Sequence, residues 1–330
     1  MNDFVDFGRI DHDAAVTLER DASQYGSRRP DLFIVGAAKC GTTALHAMLN
    51  AHPEVGMASV KELHHFSAPA VPSGLVSRAR FVTDEATYLG LFPRGDFRVV
   101  GEASTSYLSS LEAPTRIAAF NPFARIIIVL RDPVERAFSQ YLMDVREGTE
   151  TRDFADALVA DDLIPSRTWG DAALYTDLGM YAEQVERYLS VFGDRRVLLL
   201  ESDRLLSEPD AVLAEVEDFL GVTPGLSARS AHGADTNSFA VARSGAARAA
   251  LRSERARGAA RALLPLGARR AIKERVLLRK EVKPVVPESV REFLMDRYAP
   301  DIERLRRITG REFATLDARW PSRREIAVSA

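Results

Sequence analysis

The feature that most constrains this chain is a short apolar run that ends in a glycine loop and opens directly into a helix. It occupies Asp31 to Asn50. Leu32 to Val35 suit a central parallel strand, Gly36 and Gly41 let the backbone turn closely, and Thr42 begins an amphipathic helix. Such a turn aims backbone N–H groups and the positive end of a helix dipole at one point, which makes an anion site. Lys39 stands on the turn, where it can reach a bridging oxygen while Thr42, Thr43 and the backbone amides hold a terminal phosphate. A nucleotide-hydrolysing P-loop would carry its lysine directly after the second glycine, the place Thr42 holds here, and no magnesium ligand is evident. Taken alone, the loop is also compatible with an ordinary strand-to-helix turn bearing an incidental lysine.

A second segment, Ala124 to Tyr141, repeats the pattern. Ile126 to Leu130 is continuous and mostly β-branched, Asp132 is a natural N-cap, and Pro133 suits the first helical position. Arg131 then leaves the strand at its carboxyl end and Ser139 lies two turns into the helix, so the two can converge on one phosphate above the sheet. The alternative for Arg131 is a local pair with Asp132 or Glu135.

Together these segments resemble the sulfotransferases that use 3′-phosphoadenosine 5′-phosphosulfate (PAPS), the bacterial and heparan-sulfate-type branch more than the cytosolic aryl branch. The resemblance is strongest from Asp31 to Gly148 and continues more weakly to Gly221. It implies an α/β fold, a single domain with a central parallel sheet flanked by helices, related to the P-loop nucleotide hydrolases. It also implies that the loop of Lys39, Cys40, Gly41, Thr42 and Thr43 receives the 5′-phosphosulfate. Arg131 and Ser139 would bind the 3′-phosphate, and the product would be adenosine 3′,5′-bisphosphate (PAP). Cys40 is expected to pack as a small side chain under the loop, with a redox-sensitive thiol beside Lys39 as the other reading.

Lys61-Glu-Leu-His-His-Phe66 resembles the Lys-Glu-x-x-Phe-Phe segment of the heparan-sulfate-type enzymes, whose catalytic glutamate maps onto Glu62. His64 is the other candidate base, since the cytosolic branch uses a histidine, though in a different part of the chain. Partial shielding beside an anionic donor is expected to push the Glu62 pKa up. Gly101-Glu-Ala-Ser-Thr-Ser-Tyr107 resembles the family's Gly-Glu-Lys-Ser segment, with Ala103 where lysine is usual. Glu102 is expected either to orient Lys39 or the acceptor, or to pair with an arginine, and Ser104 to line the site. Sulfuryl transfer needs an acceptor deprotonated as it attacks, a cation on the leaving oxygen and an in-line arrangement. The transferred group carries less charge than a phosphoryl group, so no metal is expected.

The rest of the chain agrees with an enzyme of this kind. Its 330 residues can bury a sizeable core, and no apolar run approaches the ~18 residues of a bilayer span. Residues 1–30 read as a polar extension without a signal pattern, ahead of the sulfotransferase domain at 31–330, so a cytoplasmic location is expected. The single cysteine excludes a disulfide framework. Strands are predicted near 32–36, 98–102, 126–130 and 196–201, with helices near 42–51, 113–120, 133–147, 178–192 and 209–221. Tyr181, Val185, Tyr188, Leu189 and Phe192 recur at helical spacing and are expected in the core.

Charge is uneven. Arg243 to Lys280 carries +10 of a total of −3, which leaves −13 elsewhere. This segment reads either as a solvated helical hairpin or flap, or as an electropositive lid. Arg243, in Arg243-Ser-Gly245, stands roughly where related enzymes place a basic loop on the 3′-phosphate. Without interleaved aromatics the segment does not suggest a nucleic-acid partner. The acceptor, a hydroxyl before an amine on a small molecule, sugar or lipid, is expected in a cleft lined by 67–88, 161–175 and parts of the basic region, where Arg167, Trp169 and Tyr175 would form a platform for a ring, or Trp169 would pack against the domain edge. A terminal helix at 287–309 would pack either on the domain or against a second subunit in a homodimer. Two rival classes are a kinase with a degenerate P-loop and a nucleotide-binding module without catalysis.

Overall fold

Five parallel strands, ordered β2-β3-β1-β4-β5, form the centre of the molecule: β1 Leu32–Gly36, β2 Val55–Met57, β3 Val99–Ala103, β4 Arg125–Leu130 and β5 Val197–Glu201. The computed structural model describes residues 28–67, 81–165, 172–225 and 240–320, except 254–255, 257–258, 261–262, 315 and 317–319. Residues 1–27 of the proposed extension, together with Arg167 and Trp169, therefore lie outside the described residues. All five strands are buried on both faces apart from the first residue of β4, which is why the sequence runs are continuously apolar rather than alternating.

The helices that matter for the site are α1 Thr42–Asn50, α2 Ala113–Phe120, α3 Pro133–Glu147, α4 Tyr181–Phe192, α5 Pro209–Leu220, α6 Gly245–Arg252 and α7 Glu288–Thr309. From β1 the chain turns towards β2 and β3, whereas from β4 it turns towards β5, so the loops after the adjacent strands β1 and β4 part company. That is a topological switch point, and it opens a crevice above the carboxyl ends of the two strands. Both motifs singled out in the sequence end there.

Two helix starts are set by carboxylates. Asp132 caps α3 by accepting from Glu135 N at 2.9 Å, with Pro133 in the first turn and Gly148 closing the helix in the left-handed region. No side chain of its own caps α4; instead the Asp301 carboxylate of α7 accepts from Ala182 N at 3.1 Å. Val290, Leu294, Tyr298, Ile302 and Leu305 of α7 are buried, so this face packs on the domain. Phe293 of the same helix is 53% exposed, because it lies round the helix from that stripe.

Strand β2 escaped the sequence reading: three residues, one of them glycine, give too short a run to register. The basic segment is not a plain helical hairpin. Its ends pair as antiparallel strands, β6 Ala240–Ala242 and β7 Leu278–Lys280, enclosing α6 and a further helix, Leu266–Ile272. Lys273 Nζ donates to both Glu147 carboxylate oxygens at 2.9 Å, and Arg248 lies against Gly148, so cations gather at the negative end of the α3 dipole.

Candidate functional site

The glycine loop is shaped by two different demands. A Cβ on Gly36 would meet Leu108 Cβ at 2.6 Å, so the loop passes the following elements too closely for any side chain. Gly41 has room, but its φ of +88° is one that L-residues rarely adopt, and this residue forms the N-cap of α1. No side chain caps α1 and no acidic residue sits in its first turn, which leaves its N-terminal dipole directed at the crevice. Thr42 is buried and Thr43 exposed at this end. The loop is tied down by Ala37 N, which donates to Val129 O of β4 at 2.8 Å.

Lys39 also adopts a left-handed backbone, with φ 69°, and its ammonium lies 3.4 Å from Met143 Sδ on α3. Burial pulls its pKa down to about 8, with Asp144 opposing the shift and Arg131, Arg146 and Lys61 adding to it. Cys40 points the other way. Its thiol is fully buried, within 3.7 Å of Tyr181 Oη, and burial raises its pKa to about 11, so it packs under the loop as an inert side chain.

Arg131 joins the two motifs, since its Nη1 donates to Lys39 O at 3.4 Å. Its own backbone carbonyl accepts from Tyr181 Oη at 2.9 Å, so one hydroxyl of α4 touches both anion-binding segments. Sequence periodicity identified Tyr181 as core, but periodicity reports burial and says nothing of what a hydroxyl bonds. Glu135 Oε2 lies 3.9 Å from Arg131 Nη2, the local pair weighed in the sequence, and Glu135 Oε1 accepts from Arg291 of α7 at 2.8 Å. Burial alone would raise the Glu135 pKa. The Arg291 hydrogen bond and the charges of Arg131, Arg291 and Lys283 outweigh it and hold the carboxyl low. Ser139 stands between Glu135 and Met143 on one face of α3, at successive spacings of four, and so lies between the neighbour of Arg131 and the neighbour of Lys39. Arg243 is exposed and its Nε donates to Leu278 O at 2.7 Å; among the described residues no hydrogen bond or ion pair joins it to Arg131 or Ser139.

The Lys61–Ser67 turn closes the site from the β3 side. Lys61 Nζ donates to Glu62 Oε1, and Glu62 Oε2 accepts from Thr105 N at 2.8 Å and Thr105 Oγ1 at 3.2 Å. Burial acts to raise the Glu62 pKa, yet Lys61, His64 and the Thr105 amide together hold it below the usual carboxylate value. The direction follows from its neighbours, since the carboxylate sits among cations and N–H donors rather than in an apolar pocket.

His64 lies with Nε2 3.9 Å from Glu62 Oε2 and Nδ1 2.6 Å from Ser106 Oγ, which is 2.6 Å from Ser67 Oγ. Burial lowers its pKa, with the neighbouring Glu62 charge opposing the shift. His65 stacks on Tyr88 with ring centroids 4.2 Å apart, an ordinary packing role.

Three other expectations are corrected. Glu102 touches neither Lys39 nor an arginine: its carboxylate accepts from Tyr88 Oη at 2.7 Å, Tyr107 Oη at 2.9 Å and Ser104 Oγ at 2.8 Å. Ser104 is wholly buried and lines nothing. Tyr175 is buried with its hydroxyl on Asp144 Oδ2 at 2.6 Å, and so offers no platform to a ring. Met143, Asp144, Thr105 and Arg291 are site neighbours not singled out from the sequence: Met143 and Asp144 stand on α3 just past the end of the second motif, Thr105 follows β3, and Arg291 comes from α7.

A helix N-terminus and two cations from different strand ends thus gather above the carboxyl ends of β1 and β4, and the Lys61 ammonium, bonded to Glu62, is near enough to act on Lys39 by its charge. Residues 29–244 match the family model described as "Sulfotransferase domain", and the chain belongs to that family. Human heparan sulfate glucosamine 3-O-sulfotransferase 3B1 is 32% identical over 199 residues, which cover 60% of this chain and 47% of that protein. Mouse bifunctional heparan sulfate N-deacetylase/N-sulfotransferase 4 is 30% identical, over 59% of this chain and 22% of its own length. The chain therefore spans about half, or less, of these curated relatives. Among solved structures, a sulfotransferase from Alicyclobacillus acidocaldarius superposes with a TM-score of 0.66 at 29% identity, covering 88% of this chain and 99% of that one. Among the described residues no helix is long and apolar enough to cross a membrane, and no cluster of His, Cys, Asp and Glu is arranged to hold a metal.

Proposed function

We propose that the chain moves a sulfuryl group from PAPS to an acceptor hydroxyl by in-line displacement and releases PAP. The observation that carries this reading is the Arg131 guanidinium on the Lys39 carbonyl, which brings two anion-binding strand ends into one crevice. The 5′-phosphosulfate is assigned to the α1 N-terminus with Lys39, Gly41, Thr42 and Thr43, and the 3′-phosphate to Arg131 and Ser139. Glu62 takes the acceptor proton as its oxygen attacks sulfur, the bond between sulfur and the bridging oxygen breaks, and Lys39 bears on the charge that collects there. An anionic donor beside Lys39 and Lys61 offsets the positive field that now depresses Glu62, so donor binding raises the carboxyl towards a more useful basicity. His64, next to Glu62 and with its pKa lowered by burial, is the second candidate for the base. Cytoplasm remains the assigned location, consistent with a sole cysteine that is free and buried.

The acceptor is taken to be a small molecule, a sugar or a lipid headgroup. The first two curated relatives are named for heparan sulfate, but Ala103 stands buried in β3 where that branch's motif carries a lysine, so this position brings no charge towards an anionic polysaccharide. The test is PAP release from PAPS in excess EDTA, offered a glucosamine oligosaccharide, a simple glycoside, a phenol and a long-chain alcohol in turn. Turnover with at least one acceptor, unaffected by EDTA, is expected. Metal-dependent phosphoryl transfer from ATP would establish the kinase reading instead.

A further inference from the structure

Two non-glycine residues of the Lys61–Ser67 turn adopt left-handed backbone conformations, Glu62 with φ 68° and His64 with φ 54°. Such residues cost free energy and persist only where their surroundings over-determine them. Here the end of β3 does so. Ala103 O accepts from Glu62 N at 3.0 Å, and the Ser104 hydroxyl accepts from the next two amides, Leu63 N at 2.9 Å and His64 N at 3.1 Å. A serine oxygen has two acceptor sites and one proton. With both acceptor sites taken, its O–H must donate, and it points at Glu102 Oε2, 2.8 Å away. The other Glu102 oxygen is occupied by the Tyr88 and Tyr107 hydroxyls. Glu102 has no exposed surface, so solvent and substrate do not reach it.

We propose that Glu102 is a positioning residue for Glu62: by fixing the Ser104 hydroxyl it holds the turn in the backbone conformation that presents the Glu62 carboxylate to the acceptor. The inference rests on the assignment of Glu62 as the base. Thr105, two residues beyond Ala103, binds the Glu62 carboxylate itself, so one short stretch of chain sets both the backbone and the side chain of the base.

The experiment compares E102Q, S104A, Y88F, E62Q and the double variant E62Q/E102Q by PAP release from PAPS. The assay uses whichever panel acceptor turns over fastest, or water if none does, and calorimetric PAP binding is measured alongside. In E102Q the amide keeps the shape and an oxygen for the tyrosines but turns an N–H towards a hydroxyl whose acceptor sites are already used. E102Q is expected to lose about 100-fold in kcat, the scale of a misplaced reacting group, while PAP affinity stays within about threefold. S104A cuts the same link and should behave alike, which keeps the test open if E102Q does not fold. Y88F removes a hydrogen bond from the far oxygen and should lower Tm while leaving kcat within about threefold. E62Q/E102Q should be no slower than E62Q, since a residue acting through Glu62 has nothing left to position. Near-normal kcat in both E102Q and S104A, or additive losses in the double variant, would overturn the inference. Retained turnover in E62Q would instead show that the base was misassigned, a distinguishable result that also removes the ground for this proposal.

Discussion

Replacing Lys39 by alanine lowers turnover about a thousandfold, close to 4 kcal/mol of barrier, while PAP affinity falls by about tenfold or less. The asymmetry follows from where the ammonium sits. It is held on the turn before α1, against Met143, rather than in the ring of α1 backbone amides, so its main service is to charge that develops on the bridging oxygen. The same variant has a signature that needs no acceptor. Burial holds the Lys39 pKa at about 8 in the free protein, and an anion beside it raises that value. Between the two values the complex binds more protons than its components, so PAP binding at pH 8 takes up part of a proton and weakens as the pH rises further. Calorimetry in buffers of different ionisation enthalpy reads this uptake directly, and it should vanish in K39A. Equal losses in turnover and PAP affinity would reduce Lys39 to a plain binding residue.

Glu62→Gln carries the other large effect, a loss of turnover of about a thousandfold or more with PAP binding nearly unchanged. Glutamine preserves the acceptor oxygen for the Thr105 amide but cannot take a proton. His64→Gln is the companion measurement. If His64 were the base, H64Q would show the deep loss and E62Q a shallow one. A chain that merely binds nucleotides would show no turnover to lose.

How much of this was legible beforehand depends on how local each signal is. The two anion-binding segments are continuous in sequence, each a strand, a turn and a helix start, and could be read directly: Asp132 caps α3, and α1 begins at Thr42 after the turn at Gly41, as the residue types suggest. What joins them was not legible. The Tyr181 hydroxyl lies 50 residues from Arg131 and 141 from Cys40, and nothing in a helical apolar stripe tells which member carries a polar contact. Glu102 was misread for a related reason. Beside a family motif, a carboxylate invites a role at the surface of the site, whereas its partners Tyr88, Ser104 and Tyr107 make it an interior hydrogen-bond acceptor.

Burial of that carboxylate also pushes its pKa up, to about 7, against the three hydroxyls that donate to it, the opposite of the Glu62 case. Two acids of the same type diverge because one faces Lys61 and an amide while the other faces tyrosines and a serine, a difference of tertiary neighbours that composition cannot reveal. Arg291 was likewise missed. It enters the crevice from the terminal helix, 156 residues from Glu135, with no motif around it.

The most direct test of the central claim is calorimetric binding of PAP, compared with 5′-AMP and ATP, without magnesium, on the wild-type chain and on R131A. The account predicts that PAP binds at least tenfold more tightly than 5′-AMP, that ATP gains nothing over 5′-AMP, and that R131A erases the advantage of the 3′-phosphate by removing its charged contact. Equal affinities for PAP and 5′-AMP, or a PAP preference that survives in R131A, would contradict the assignment of the second strand end and with it the PAPS site.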